Sequence, residues 1–574
     1  MSPSKPLSSF SAYEVEMKRR KKLEARKLLA IKKNKTVHDG KRKDKPKVLK
    51  EMVLVKSGKI ANIPNEEIVR TVPKGNKKQF QNKKKKGGKT KESSEPMDDE
   101  YVTEEEESIQ KNGKARDVPM RDESGTDSIK DGRDAFSWLI APIKPEEFFQ
   151  NAWERAPLHV KRTNFPDYYR EILTSEKIHN IIRDNYILFS KNIDVTSYRN
   201  GKRETLNPPG RATPSIVWDF YNRGCSVRML NPQTFCPELR KLNASLQDFF
   251  GCFVGANSYL TPANSQGFAP HYDDIEAFIL QLEGKKHWKV YAPRKPGEVL
   301  PRFSSPNFTQ EELQKPVLEV TLHPGDFLYF PRGFIHQAST EPGHHSLHLT
   351  VSCYQKNSWG DLLEKLLPAA LAVAQEEDVE FRKGLPLNYL RHAGVSNSEQ
   401  ETAERQAFFA HLQKLLGRLM VHAPVDAAVD QMGKQFMHDA LPPVLTTEEE
   451  KCSVFSEELL TINKDGRVSG SVALNLNTKV KLLRSFILRL VKEDDSNDNV
   501  QVYHCVDNSL EYHGEDPMMF EVSSEFAMAV EQLIHSYPEF ISVSDLALDR
   551  KEDQLELADL LWKKGLLLTE KPLA

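Results

Sequence analysis

Residues 271–273 read HYD, and residues 325–336 read GDFLYFPRGFIH. Three side chains in these stretches could do chemistry together: His271, Asp273 and His336. On an extended strand, residues two apart share a face, so His271 and Asp273 would aim an imidazole and a carboxylate at one point. The second stretch fits the pattern G-x5-P-x-G-x2-H: Gly325-Asp326 makes a turn, Phe327 to Phe330 a strand, and Pro331 and Gly333 a bend that ends at His336. A lone H-x-D reads as a solvated pair at a strand end. A second imidazole 65 residues further on (336 minus 271) turns the pair into a two-histidine, one-carboxylate set. That set holds ferrous iron on one face and leaves about three adjacent positions open. Zinc would prefer a closed tetrahedral site, and calcium or magnesium more oxygen ligands.

Open positions of this kind suit a bidentate keto acid such as 2-oxoglutarate, with dioxygen beside it. Its distal carboxylate then needs a cation. Lys286 lies 15 residues after His271 (286 minus 271), just past a turn at Gly284. With iron +2, Asp273 −1, the dianion −2 and Lys286 +1, the site sums to zero, the condition under which buried charge is tolerable. The bland reading of a lysine in KKHW is a surface residue, and Lys285 is expected to be one. His287, His323, His344 and His345 fall outside both motifs and are expected on the surface or behind the ligands.

These residues need a rigid β framework. From about Ala135 to Gln355, short runs such as CFVGANSYLTP, AFILQLEG, KKHWKVYAP, DFLYFP and HSLHLTVSCY are punctuated by Gly, Pro and Asn, which predicts a β-sandwich or barrel with leading helices against its outside. After Gln355 the pattern turns helical. Trp359, Leu362, Leu363, Leu366 and Leu367 form one stripe, and Phe408, Leu412, Leu415 and Leu419 another, read as surfaces that pack against a second copy of the chain. From about Leu441, strand candidates VSGSVALNL and VQVYHCV accompany two helices, the second ending at Gly565 before LLLTE. That order resembles a winged helix. The expected units are a disordered tail over 1–134, a catalytic domain over 135–355, a helical dimerisation domain over 356–440 and a winged-helix-like domain over 441–574.

Charge is unevenly spread along the 574 residues. Residues 1–91 carry 29 Lys and Arg against 8 Asp and Glu, a net of +21, so the remainder is −22 (−1 minus +21). The clusters KRRKK, KRKDKPK and KKKK predict nuclear or nucleolar targeting and weak nucleic-acid contact through phosphates. Residues 441–574 hold 13 basic and 25 acidic residues, a net of −12, which repels nucleic acid and favours protein contacts. Six cysteines without C-x-x-C spacing indicate neither a disulfide framework nor a zinc finger. The N-terminus lacks a signal-peptide core and no run is long enough to span a membrane, so the expectation is a soluble intracellular protein.

Taken together, HYDDIE, ILQLEGKKHWKVY, GDFLYFPRGFIHQA and HSLHLT resemble the JmjC oxygenases, and within them the ribosomal oxygenases, over everything from about Ala135 onward. The resemblance implies an α+β fold, with a double-stranded β-helix (jelly-roll, cupin-type) core, and iron on His271, Asp273 and His336. It implies a 2-oxoglutarate pocket from Asn257, Tyr259, Lys286, His348 and Ser352, and a place for Arg228 near the peptide groove. It further implies hydroxylation of a histidine in a large-subunit ribosomal protein, demethylation of histone lysines with transcriptional repression, a homodimer or higher oligomer, and residence in nucleolus and nucleoplasm. The alternative is a non-catalytic chromatin or preribosome scaffold with a vestigial core.

Overall fold

The first helix, Ser128–Ile140, starts ahead of the expected onset at Ala135. The Asp127 carboxylate caps it by accepting from the N–H groups of Ile129 and Lys130. The computed structural model describes residues 127–573 apart from 163, 458, 470–472, 494–497 and 512–515, all within one compact unit. The charged tail therefore lies outside the described residues up to 126.

Eleven strands build the catalytic core: β1 (Leu158–Val160), β2 (Ile193–Arg199), β3 (Lys202–Thr205), β4 (Ser226–Leu230), β5 (Gly255–Thr261), β6 (Glu276–Gly284), β7 (Lys286–Tyr291), β8 (Leu318–Leu322), β9 (Phe327–Phe330), β10 (Ile335–Ser339) and β11 (Ser346–Cys353). They form an eight-stranded sheet in the order β1-β9-β6-β11-β5-β4-β2-β3 and a three-stranded sheet β10-β7-β8, with every pairing antiparallel. The two sheets enclose Ala277, Ile279, Trp288, Val290, Leu322, Leu328 and Phe330. The other face of the large sheet, through Phe278, Leu280, Phe327, Tyr329, Leu347 and Leu349, packs with Phe136, Leu139 and Leu246 of the helices Ser128–Ile140 and Pro237–Phe250.

This double coverage explains why FILQL in β6 and FLYF in β9 read as continuous apolar runs. A strand buried on both faces has no polar side to display. In β7 the covered face is Lys286, Trp288 and Val290, whereas His287 and Lys289 face outward and pair with Glu319. In β5 and β11 one face feeds the core, while Asn257, Tyr259, His348 and Ser352 turn into the space between the sheets. The alternation of those side chains is the period-2 geometry of a strand.

Beyond the barrel lie the helices Trp359–Glu377, Ala403–Leu419 and Val425–Asp439. The stripes expected there split in two. Leu366 and Leu419 are buried, but Trp359 is 82% exposed, and Leu363, Leu367 and Leu412 are exposed as well. The C-terminal residues form a separate core around Val480, Leu482, Val500, Val502, Leu557, Leu561 and Trp562, with helices Ala527–Ser536 and Lys551–Lys563 against two three-stranded sheets. VQVYHCV becomes the strand Asn499–His504, and Gly565 ends the last helix at φ +72°. VSGSVALNL forms only the two-residue strand Val468–Ser469, and residues 470–472 lie outside the described residues. The C-terminal unit is bolted to the catalytic core. The Gln247 amide exchanges hydrogen bonds with the backbone of Leu441, and the Ser128 N–H donates to the Tyr537 hydroxyl.

Candidate metal and co-substrate site

His271 and Asp273 are not on a strand, contrary to the expectation. They occupy the loop that leads into β6, and the segment after Pro301 holds that loop in place. The Tyr272 N–H donates to the Ser305 hydroxyl, and the Phe308 N–H to the Pro270 carbonyl. His271 also forms an isolated antiparallel bridge with His336, the N–H of each donating to the carbonyl of the other at 3.3 and 2.8 Å. Backbone pairing rather than strand pleat therefore sets the two imidazoles side by side, ring centroids 4.5 Å apart.

Each ring is oriented the same way. His271 Nδ1 lies 2.8 Å from the Ala269 carbonyl and His336 Nδ1 3.2 Å from the Phe334 carbonyl. A carbonyl only accepts, so both Nδ1 atoms carry the proton and both Nε2 lone pairs are free. The two Nε2 atoms stand 3.7 Å from the two Asp273 carboxylate oxygens. Burial and the neighbouring His271 pull the His336 pKa down to about 4, so it is a neutral donor at physiological pH. Among the described residues this is the one group of three metal-ligating side chains that converges on a point. Its donor chemistry fits ferrous iron with positions to spare.

The bend that delivers His336 is built for its place. Gly333 has φ +87°, and a Cβ there would lie 2.2 Å from the Glu298 carbonyl oxygen, so no larger residue fits. Just before it, Asp326 closes the turn by accepting from the N–H groups of His323 and Arg162. Arg332 forms an ion pair with Glu154 at 2.7 Å and lies 3.4 Å from Glu276, which also accepts from the Tyr329 hydroxyl. Desolvation raises the fully buried Glu276 to a pKa of about 7. The lone acid that opens the apolar run of β6 is this network's signal in the sequence.

Asn257, Tyr259, Lys286, His348, Ser352 and Arg228 line one cavity of about 440 Å³ together with His271, Asp273 and His336. Lys286 is 4% exposed, and burial pulls its pKa down to about 7. Its ammonium donates to the Thr261 hydroxyl at 2.8 Å, and no carboxylate pairs with it among the described residues. A buried cation without a counter-ion is what a ligand carboxylate would complete. Tyr259 stacks on His348 with centroids 4.9 Å apart, and His348 Nδ1 is buried without a partner. Arg228 is held by Asp194 and by the Tyr259 hydroxyl. The expected distractors stay outside the cavity: His287 pairs with Glu319 and His345 with Glu283. A larger groove, about 1180 Å³, runs between the core, the helices and the C-terminal unit, but no triad member lines it.

Two family models match the chain: a JmjC domain over residues 228–362, and the C-terminal winged helix domain of ribosomal oxygenase 1 over residues 441–573. A bifunctional lysine-specific demethylase and histidyl-hydroxylase from Aedes aegypti is 51% identical over 449 residues, covering 78% of this chain and 69% of its own. Ribosomal oxygenase 1 of Danio rerio is 50% identical over 460 residues, covering 80% of this chain and 84% of its own. The Homo sapiens protein of the same name is 48% identical over 441 residues, covering 76% and 68%. Relatives 48–51% identical over about three quarters of the chain or more place it in the ribosomal oxygenase 1 family.

Proposed function

We propose that the chain is an Fe(II)- and 2-oxoglutarate-dependent protein oxygenase whose main reaction is hydroxylation of a histidine in a basic large-subunit ribosomal protein. The observation that carries this reading is one cavity holding both a convergent His-Asp-His set and a buried, unpaired lysine. A vestigial scaffold has no use for either. Ferrous iron on His271, Asp273 and His336 would supply the oxidation of a C–H bond when oxygen and 2-oxoglutarate are present. The chain's own part is to orient and to exclude water. Lys286, steadied by the Thr261 hydroxyl, would fix the distal carboxylate, the two backbone carbonyls hold the imidazole tautomers, and Trp288 and Ile279 wall the cavity.

Mass spectrometry of ribosomal proteins and histone peptides after incubation with the enzyme, Fe(II) and 2-oxoglutarate tests the substrate. One added oxygen on a histidine is the expected product. Methyl loss with formaldehyde release, and no histidine oxidation, would reverse the assignment in favour of lysine demethylation.

The basic clusters of the first 91 residues support a nuclear and nucleolar location. Deleting those residues is expected to disperse the protein while leaving turnover of a short peptide unchanged, as read by microscopy and by succinate release. Catalytic loss in the truncated protein would make the tail part of the active unit. The exposed leucines of Trp359–Glu377 and Ala403–Leu419 support a homodimer through the helical region, since contiguous exposed apolar surface marks an interaction site. No described helix is long and apolar enough to cross a membrane.

A further inference from the structure

The ladder between β6 and β9 stops at Ala277 and Phe330. The next residue after Phe330 is Pro331, which has no N–H to carry the ladder on. A side chain continues the pairing instead. The Glu276 carboxylate accepts from the Arg332 backbone N–H, from the Tyr329 hydroxyl and from the Arg332 guanidinium 3.4 Å away. The other terminal nitrogen of that guanidinium reaches Glu154 at 2.7 Å. The Glu154 N–H donates to the Tyr329 hydroxyl at 3.0 Å, so the four residues close a ring. Glu276 is fully buried and Arg332 is 8% exposed. Buried ion pairs of this kind hold a core together no better than apolar residues of the same size. The ring therefore calls for a use besides stability.

Its position supplies one. Glu276 lies three residues after Asp273 (276 minus 273), and Arg332 four before His336 (336 minus 332). The ring thus joins the two segments that carry the metal-ligating side chains. One residue past Arg332, the Gly333 N–H donates to the Asp273 carbonyl at 3.0 Å. The Asp273 side chain itself is held by little, a 3.5 Å contact from the Ser304 hydroxyl. Its distance from His336 is set by the backbone that carries both.

We infer that Glu276 and Arg332 are positioning residues for the metal site: they lock the bend that delivers His336 against the strand that follows Asp273, and so fix the spacing of the three ligating side chains. The inference rests on the metal reading above and names the groups that hold its geometry. Neither residue lines the cavity. Both act through Asp273 and His336.

The test is titration of the full chain with Co(II), read by the visible absorption of the bound ion, which reports the number and arrangement of its ligands. Thermal melting of each variant accompanies it. Arg332→Gln should fold, because Glu154 is a third exposed to water and Glu276, which burial already holds near pH 7, can take up a proton. Arg332→Gln and Glu276→Ala are each expected to weaken Co(II) binding by about 10–100-fold and to change the absorption of the bound ion, the scale on which loss of a group behind a metal ligand is felt. Glu276→Gln keeps an acceptor for Tyr329 and the Arg332 backbone, and should bind within about fivefold of the wild type. Val502→Ala, in the separate C-terminal core, should lower the melting temperature and leave Co(II) affinity unchanged. Wild-type affinity and absorption in Arg332→Gln and Glu276→Ala, or an equal loss of affinity in Val502→Ala, overturns the inference. Binding by the wild type that is equally strong in Asp273→Ala overturns the metal reading itself, a result distinct from either.

Discussion

Replacing His271 or Asp273 with alanine is expected to bring succinate formation down to background, a loss of at least about 100-fold, while the protein stays folded. Loss even of a residue that merely supports a metal ligand costs about 10–100-fold, and loss of a ligand itself costs more. The fold should survive because these side chains make few other bonds: His271 Nδ1 to the Ala269 carbonyl, and a 3.5 Å contact from the Ser304 hydroxyl to Asp273. The Asp273 side chain is 36% exposed, and the bridge between His271 and His336 runs through backbone groups that alanine keeps. Circular dichroism and thermal melting near wild type, alongside absent succinate, is the predicted pair of results. Full activity with Fe(II) in either variant would mean that the metal sits elsewhere.

Lys286→Ala should raise the 2-oxoglutarate requirement by roughly two to four orders of magnitude, since losing the partner of a buried ion pair costs about 3–5 kcal/mol. Metal binding should persist, because Lys286 bonds to Thr261 and not to the triad. The same residue predicts a pH dependence. In the free protein burial holds the Lys286 pKa at about 7, and an arriving carboxylate raises it. The bound state thus keeps a proton that the free state gives up above about pH 7. Binding is at full strength below that pH, takes up a proton above it, and weakens as pH rises toward the bound-state pKa. Calorimetry in two buffers of different ionisation heat would read the uptake. Undiminished turnover of Lys286→Ala at limiting 2-oxoglutarate, or binding with no proton uptake above pH 7, would remove Lys286 from the co-substrate site.

Much of this was legible in the residues because strand periodicity is local. Lys286 against Lys285, and His348 and Ser352 against Leu347 and Val351, separate by parity alone. The G-x5-P-x-G-x2-H bend was legible because Gly333 admits no side chain. What stayed hidden depends on partners distant in sequence. His271 and Asp273 read as strand residues because nothing nearby announces that residues 304–308 and His336 will pin them as a loop. Arg203 sits in a run of charged residues, and only the β2–β3 hairpin turns it onto Phe268. Apolar stripes on the helices showed amphipathic spacing but not which face is covered, and Trp359 proved exposed while Leu366 proved buried. The onset at Ser128 was hidden for the same reason: Tyr537 and Ser485, far along the chain, fasten it.

The most direct test of the central claim is to supply isotopically labelled dioxygen with Fe(II), 2-oxoglutarate and ribosomal protein, and to follow the heavy oxygen. An oxygenase built on His271, Asp273, His336 and Lys286 predicts one labelled oxygen on a substrate histidine and succinate formed in step with it, both lost in Asp273→Ala. Labelled histidine that persists in Asp273→Ala, or oxygen drawn from water with no succinate formed, would contradict it.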